Sequence, residues 1–229
     1  NDTFNVTAPS TFELRGGNGN DSFFFAAGRL NGTADGESGN DLLDGTGATA
    51  GLTLLGGRGN DTIIGSSFND LLNGGSENDS ILGMAGNDTI SMTGSAVAVR
   101  ADGGEGSDVI LGGAAADALF GGNGADLIAG GLGADLINGG AGNDIVIDGT
   151  VSVRAAGKTL RSVLDGWAAK AAPVDADYAA ITADLAFTAD KASKDTLTGG
   201  LGTDWFWSAT AGAVVDVLDL VAGERRRLV

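Results

Sequence analysis

Single apolar residues recur along this chain at a fixed interval, separated by short polar stretches rich in glycine. Phe23, Leu43, Ile63, Leu72, Ile81, Ile90, Ile110, Leu119, Ile128, Ile137 and Val146 form the series, and no polar residue interrupts it. In its regular stretches the interval is nine residues. A short fixed period predicts a solenoid, in which each unit buries its apolar face only by stacking on its neighbours. The units should be short strands joined by tight turns, with glycine supplying the positive φ values that the turns need.

An aspartate stands two residues before each apolar position. Asp61, Asp70, Asp79 and Asp88 make one run, and Asp108, Asp117, Asp126, Asp135 and Asp144 another. Each aspartate closes a glycine-rich turn. The fullest copies are Gly56-Gly57-Arg58-Gly59-Asn60-Asp61-Thr62-Ile63-Ile64 and Gly139-Gly140-Ala141-Gly142-Asn143-Asp144-Ile145-Val146-Ile147. Gly16-Gly17-Asn18-Gly19-Asn20-Asp21, Gly103-Gly104-Glu105-Gly106-Ser107-Asp108, Gly121-Gly122-Asn123-Gly124-Ala125-Asp126 and Gly199-Gly200-Leu201-Gly202-Thr203-Asp204 repeat the pattern. Ordinary turn aspartates do not keep a nine-residue phase. A catalytic pair of carboxylates would not recur along the chain. Stacked carboxylates require a cation. Calcium takes six to eight hard oxygens, and a glycine-rich turn exposes backbone carbonyls beside each carboxylate.

These repeats resemble the calcium-binding nonapeptides of the RTX (repeat-in-toxin) family, over roughly residues 1–149 with one late copy. The resemblance implies an all-β fold, a right-handed parallel β-roll. Two nonapeptides make one coil of eighteen residues, and the eighth position of each points inward. Each ion lies between consecutive turns on one edge, held by aspartates and carbonyls of both. Spacings of twenty, as from Asp21 to Asp41, from Asp41 to Asp61 and from Asp88 to Asp108, then read as coils with a two-residue insertion and one turn without the motif. One edge carries Asp2, Asp21, Asp41, Asp61, Asp79, a gap, Asp117 and Asp135. The other carries two early gaps, then Asp70, Asp88, Asp108, Asp126 and Asp144. Pairing neighbours on each edge gives about nine calcium sites. Those at Asp70, Asp79 and Asp117 are expected to be weaker, because Gly65-Ser66-Ser67-Phe68-Asn69-Asp70 lacks two glycines and Glu77 and Ala115 replace another. From Asp2 to Asp144 the roll should run roughly 35 Å at ordinary strand spacing.

The period stops near residue 149, and residues 150–229 are expected to cap the open end of the roll, which is the usual need of a solenoid. Leu160, Val163, Leu164 and Trp167 fall at the spacing of an amphipathic helix, predicted over 158–171 and ended by Pro173. Tyr178, Ile181 and Leu185 suggest a second helical stretch. Strands should return at Asp195-Thr196-Leu197-Thr198, at Trp205-Phe206-Trp207 and at Val214–Leu218. Of Trp205 and Trp207, one is expected buried and the other exposed on the opposite side. Arg225, Arg226 and Arg227 read as a solvated tail. The chain opens on Asn1-Asp2-Thr3-Phe4, the tail of a nonapeptide. It is therefore expected to be the C-terminal piece of a longer protein, a large bacterial exoprotein.

Composition narrows the function. The formal charge is −17, and most of the carboxylates sit in the repeats, so repulsion opposes the compact state unless counter-ions are bound. Nucleic acid and anionic membrane surfaces are poor partners for such a chain. With no cysteine and no histidine there is no disulfide, no thiolate zinc site and no Ser-His-Asp triad. No apolar run is long enough to span a membrane. The first expectation is a non-enzymatic calcium-binding structural module of a secreted or cell-surface bacterial protein. It would fold on calcium after export and serve in adhesion, matrix or surface assembly, with a surface polysaccharide or protein as partner. RTX proteins leave the cell unfolded by type I secretion, which implies the same here. The alternative is the secretion and folding module of a secreted protease or lipase whose catalytic domain lies upstream. Ice binding needs a regular outward file of threonine and asparagine. The file at the third motif position is irregular instead: Asn18, Ser38, Arg58, Ser67, Ser76, Ala85 and Glu105.

Overall fold

The computed structural model describes residues 1–7, 11–26, 31–154, 156–169, 183–188, 195–202, 204–208, 217–219 and 225–228. Two ten-stranded parallel sheets face each other, and the chain alternates between them. The first holds β1 (Thr3–Val6), β3 (Ser22–Phe25), β5 (Leu42–Asp44), β7 (Thr62–Ile64), β9 (Ser80–Leu82), β11 (Arg100–Glu105), β13 (Ala118–Asn123), β15 (Leu136–Ala141), β19 (Thr196–Leu201) and β21 (Val217–Asp219), in that spatial order. The second holds β2 (Thr11–Arg15), β4 (Asn31–Ser38), β6 (Thr53–Arg58), β8 (Leu71–Ser76), β10 (Thr89–Ser91), β12 (Val109–Leu111), β14 (Leu127–Ala129), β16 (Ile145–Ile147), β20 (Trp205–Ser208) and β22 (Arg225–Leu228). The fold is the parallel β-roll that the repeats imply.

Register follows from the pattern. Ile63 pairs with Leu43 and Ile81, and Ile128 with Ile110 and Val146. All eleven members of the apolar series are fully buried between the sheets. Side chains alternate across a strand, so a three-residue strand such as Thr62-Ile63-Ile64 sends only its middle residue inward. The early coils are filled by stacked rings, Phe4 on Phe23 at 4.5 Å and Phe12 on Phe25 at 5.1 Å. Leucine, isoleucine and valine fill most of the rest of the core, with Ala34, Ala101, Met92 and Phe206 among them. Where the motif is complete, the turn is tight enough to exclude a side chain at its fourth position. Gly59 has a φ of 116°, and a Cβ there would lie 1.9 Å from the carbonyl oxygen of Gly39, one coil back.

Parallel pairing continues past residue 149, through the region assigned to the cap. β19 pairs with β15 and β20 with β16, so Leu197 covers Ile137 and Phe206 covers Val146. Arg225–Leu228, read as a tail, forms β22 beside β20. The segment between β16 and β19 is an insertion between consecutive coils. It contributes an antiparallel pair, β17 (Thr150–Val153) with β18 (Leu185–Thr188), and the helix α1 (Leu160–Ala168). Leu185 opens a strand rather than a helix, while Tyr178, Ile181 and Pro173 lie outside the described residues.

α1 starts at a capping box. The Thr159 hydroxyl accepts from the Ser162 N–H, and the Ser162 hydroxyl accepts from the Thr159 N–H. Its buried stripe of Val163, Leu164 and Trp167 matches the helical spacing. That stripe packs on the outer flank of the second sheet, against Val109, Leu127, Ile145 and Trp205. Trp205 and Trp207 are both buried there. The expectation of opposite sides fails because residues two apart on a strand share a face. Phe206, between them, is the one that points into the roll. Phe187 of β18 stacks on Trp207 at 4.9 Å.

Candidate metal centre

The turns between strands put aspartates in two vertical files, one along each edge of the roll. On the first edge the backbone N–H of Asp2 donates to Oδ1 of Asp21, Asp21 to Asp41, Asp41 to Asp61, and Asp61 to Asp79, at 2.5 to 2.9 Å. After a break the file resumes with Asp117 to Asp135 at 2.9 Å. On the second edge Asp70 donates to Asp88, Asp88 to Asp108, Asp108 to Asp126 and Asp126 to Asp144, at 2.7 to 2.9 Å. Each carboxylate is thus aimed at the turn one coil before it. The nine pairs read from the sequence are the pairs the fold stacks. Asp2 is exposed, and the other eleven aspartates are buried.

Two of the three gaps are filled by apolar side chains among the described residues, and the earliest gap on the second edge falls largely outside them. Leu52 and Val99 stand in the aspartate files, and their N–H groups donate to Oδ1 of Asp70 and Asp117 at 2.6 and 3.0 Å. Both are buried. The backbone ladder therefore continues where the carboxylate file does not.

The second carboxylate oxygen reports on the cation. Oδ2 of Asp21, Asp41, Asp61, Asp79, Asp88, Asp108, Asp126 and Asp144 is buried with no hydrogen-bond partner. An unsatisfied buried carboxylate oxygen costs several kcal/mol and calls for a compensating charge. Each such oxygen except that of Asp79 faces a small cradle beside a motif glycine. A Cβ on Gly121 would meet Asp126 Oδ2 at 2.4 Å and the Gly139 carbonyl oxygen at 2.3 Å. The cradle is therefore walled by a carboxylate oxygen of one turn and a carbonyl oxygen of the next. This donor set is all hard oxygen, which fits calcium. No three acidic, histidine or cysteine side chains converge among the described residues. Most of the six to eight oxygens calcium takes would come from backbone carbonyls.

Two turns depart from this geometry. Oδ2 of Asp70 accepts from the Ser66 N–H at 2.6 Å, and Oδ2 of Asp117 accepts from the Gly113 N–H at 2.7 Å. Their turns are among those short of motif glycines. In the turn before Asp79, Glu77 takes a φ of 75°, and its carboxylate accepts from the Gly59 N–H at 2.7 Å. Asp79 Oδ2 accepts no hydrogen bond, but a Cβ on Gly74 would meet it at 2.5 Å and the Met92 sulfur at 2.8 Å, where the other cradles present a carbonyl oxygen.

Burial and mutual repulsion push these acids up from the ordinary aspartate range. Desolvation is the first cause throughout. It carries Asp61 to about 7, Asp79 and Asp108 to about 6, Asp88 and Asp126 to about 8 and Asp144 to about 9. Asp41, Asp70 and Asp117 rise for the same reason. Neighbouring carboxylates add to the rise of Asp144 through Asp126 and Asp204, and backbone N–H donors oppose it. Without a cation, this edge holds its charge poorly at neutral pH.

Three features escaped the sequence reading. Asp195 and Asp204 extend the two files, Asp135 donating to Asp195 Oδ1 at 2.9 Å and Asp144 to Asp204 Oδ1 at 2.8 Å. The insertion puts sixty residues between these partners. The signal was the late glycine-rich copy, whose aspartate belongs under Asp144. The second feature is an asparagine ladder beside the first aspartate file. Asn20, Asn40, Asn60 and Asn78 each donate a backbone N–H to the side-chain oxygen of the asparagine one coil before, Asn1, Asn20, Asn40 and Asn60, at 2.7 to 3.1 Å. Its signal is asparagine at the fifth motif position. The third is the outer flank under α1. The strands Val109-Ile110-Leu111, Leu127-Ile128-Ala129 and Ile145-Val146-Ile147 are apolar on both faces, which a strand with one wet face is not.

The sequence profile of the RTX calcium-binding nonapeptide repeat (four copies) matches residues 13–29, 54–90, 100–128, 120–147 and 191–209, more than half of the chain. No curated protein matches it. Repeat, roll and buried carboxylate files agree: the chain belongs to the RTX calcium-binding nonapeptide-repeat family, and it is a calcium-binding module.

Proposed function

We propose that this module is an exported structural element that folds when it meets calcium outside a bacterial cell and then serves in adhesion, matrix or surface assembly. It does so without catalysis. The observation that carries the reading is the file of buried, unpartnered Oδ2 atoms along both edges. Such a file, in a chain of charge −17, opposes its own fold until cations arrive.

The nine pairs read from the sequence hold the calcium. The aspartates provide charge, and the turn carbonyls complete the shell. Bound calcium supplies the positive charge that lets these carboxylates stay ionised while buried. Extracellular calcium modules bind at roughly 10⁻⁴ to 10⁻³ M. At tenfold excess each independent site contributes about 1.4 kcal/mol. Several sites together reach the order of 10 kcal/mol that stabilises a whole domain. In calcium-poor cytosol the chain stays open for export, and outside it closes.

Far-ultraviolet circular dichroism in chelator and then in millimolar calcium tests the reading. A β-rich spectrum should appear only with calcium. Equal β content in both conditions would overturn it.

A further inference from the structure

We infer that α1 is a splint that holds three consecutive acidic turns of the second edge at their coil spacing, with Arg161 and Trp167 as the positioning residues. The inference rests on the calcium reading of that edge and adds to it a device carried by the insertion.

Both residues donate to the same backbone position of different turns. Arg161 Nη1 donates to the carbonyl of Ser107, and Trp167 Nε1 to the carbonyl of Asn143 at 2.5 Å. Ser107 and Asn143 each sit immediately before an aspartate of the file, Asp108 and Asp144. The turn of Asp126 lies between them. The two donors are six residues apart on α1. At the rise of an α-helix that is about 9 Å. Two strand spacings of the roll come to about 9.6 Å. The helix therefore matches two coil steps, end to end.

The seat is built, not incidental. Val163 and Leu164, between the two donors, are buried against Val109, Leu127 and Ile145, the strands that follow these same turns. Arg161 Nη1 also lies 3.5 Å from the Asp88 carbonyl oxygen, and its Nη2 is buried. Its Nε is braced by Asp165 at 2.9 Å, one helical turn on. A guanidinium is a rigid planar fork, so a brace on one side fixes the donor on the other. The Ser107 carbonyl that Arg161 pins belongs to a turn that walls the cradle at Asp108–Asp126, and the Asn143 carbonyl that Trp167 pins belongs to one that walls the cradle at Asp126–Asp144. Fixing those turns before an ion arrives removes part of the ordering that binding otherwise requires.

Calorimetric titration of the full chain with calcium tests the splint, using Arg161→Met, Trp167→Phe and Arg161→Lys, with Asp126→Asn as a second background. Arg161→Met and Trp167→Phe should each weaken two ions by roughly five- to tenfold, the worth of a hydrogen bond to a charged or buried group, and leave the ion count unchanged. Arg161→Lys should recover part of the loss. Asp126→Asn should remove both of those ions, and in that background Arg161→Met should cost nothing more. An equal loss in both backgrounds would show a general stability effect and overturn the splint. Tighter binding by Arg161→Met would show the guanidinium to be a competing cation and overturn it too. An unchanged isotherm would do the same. Those outcomes leave the calcium reading standing. An unsubstituted chain that takes up no calcium, or an Asp126→Asn variant that keeps every ion, sinks both together.

Discussion

The backbone N–H of Asp108 donates to Oδ1 of Asp126, one coil on, at 2.7 Å, while Oδ2 of Asp126 stays buried without a partner. One oxygen thus ties coil to coil through the protein alone, and the other is reserved. This division of labour recurs along both edges. It explains why a folding ladder and a cation site can share one residue.

The reserved oxygen depends on the glycine beside it. Gly121→Ala would place a methyl carbon about where Asp126 Oδ2 and the Gly139 carbonyl converge, at 2.4 and 2.3 Å. Calcium-saturated stability should fall by about 1–3 kcal/mol, as overpacking does, and the ion between these turns should be lost. Chemical denaturation and ion counting by titration measure the two effects. A variant that keeps its full complement of ions would show that the cradle is not where calcium sits.

Acidity should act in opposite directions with and without calcium. In the folded, calcium-free chain Asp61, Asp88, Asp126 and Asp144 lie at about 7, 8, 8 and 9, against 3.8 in the open chain. Between those limits the folded state binds more protons than the unfolded state, so its stability falls as pH rises. In chelator, the compact state should be strongest at and below about pH 4 and lost progressively from there toward pH 9 (about the span of the shifted groups). With calcium the trend reverses, because protons compete with the ion for the same oxygens. Urea melts across that range, with chelator and with calcium, decide it. Parallel pH trends in the two series would refute the linkage.

Ions should be absent where an apolar residue occupies the file. Leu52 and Val99 bring no carboxylate, yet they keep the backbone ladder to Asp70 and Asp117. Crystals grown in calcium should show ions between Asp108 and Asp126 and none beside Leu52 or Val99. Anomalous scattering distinguishes calcium from water at these positions. An ion beside either residue would mean that carbonyls alone suffice, and the aspartate file would lose its role as the determinant.

Much of this was legible because the repeat is one-dimensional. Once Ile63 is known to point inward, Leu72 and Ile81 follow by period, and the two-residue insertions around Asp41 and Asp108 fix which edge each aspartate joins. Legibility ended where the chain left the period. Nothing local says that Asp195 belongs under Asp135, since sixty residues separate them and only the sheet brings them together. The helix stripe was visible in Leu160, Val163, Leu164 and Trp167, but its destination was not. An apolar stripe says that something covers it, and only the doubly apolar strands from Val109 onward say what.

The last expectation concerns that cover. Leu164 is fully buried under the flank of the second sheet, among Val109, Leu127, Ile145 and Trp205. Leu164→Ala should cost about 2–5 kcal/mol of α1 docking, the range for a buried leucine. The roll's own interior does not contain Leu164, so its parallel strands and its first-edge aspartates should persist. The loss should therefore appear as exposure of the outer apolar flank rather than as global unfolding, with larger patches of that kind favouring association. Binding of a hydrophobic dye in calcium, together with sedimentation, measures the exposure. Circular dichroism at the same calcium concentration checks that the roll survives. If dye binding stays flat while the whole β signal melts at lower temperature, helix and roll fold as one unit and the insertion is not a separable cover.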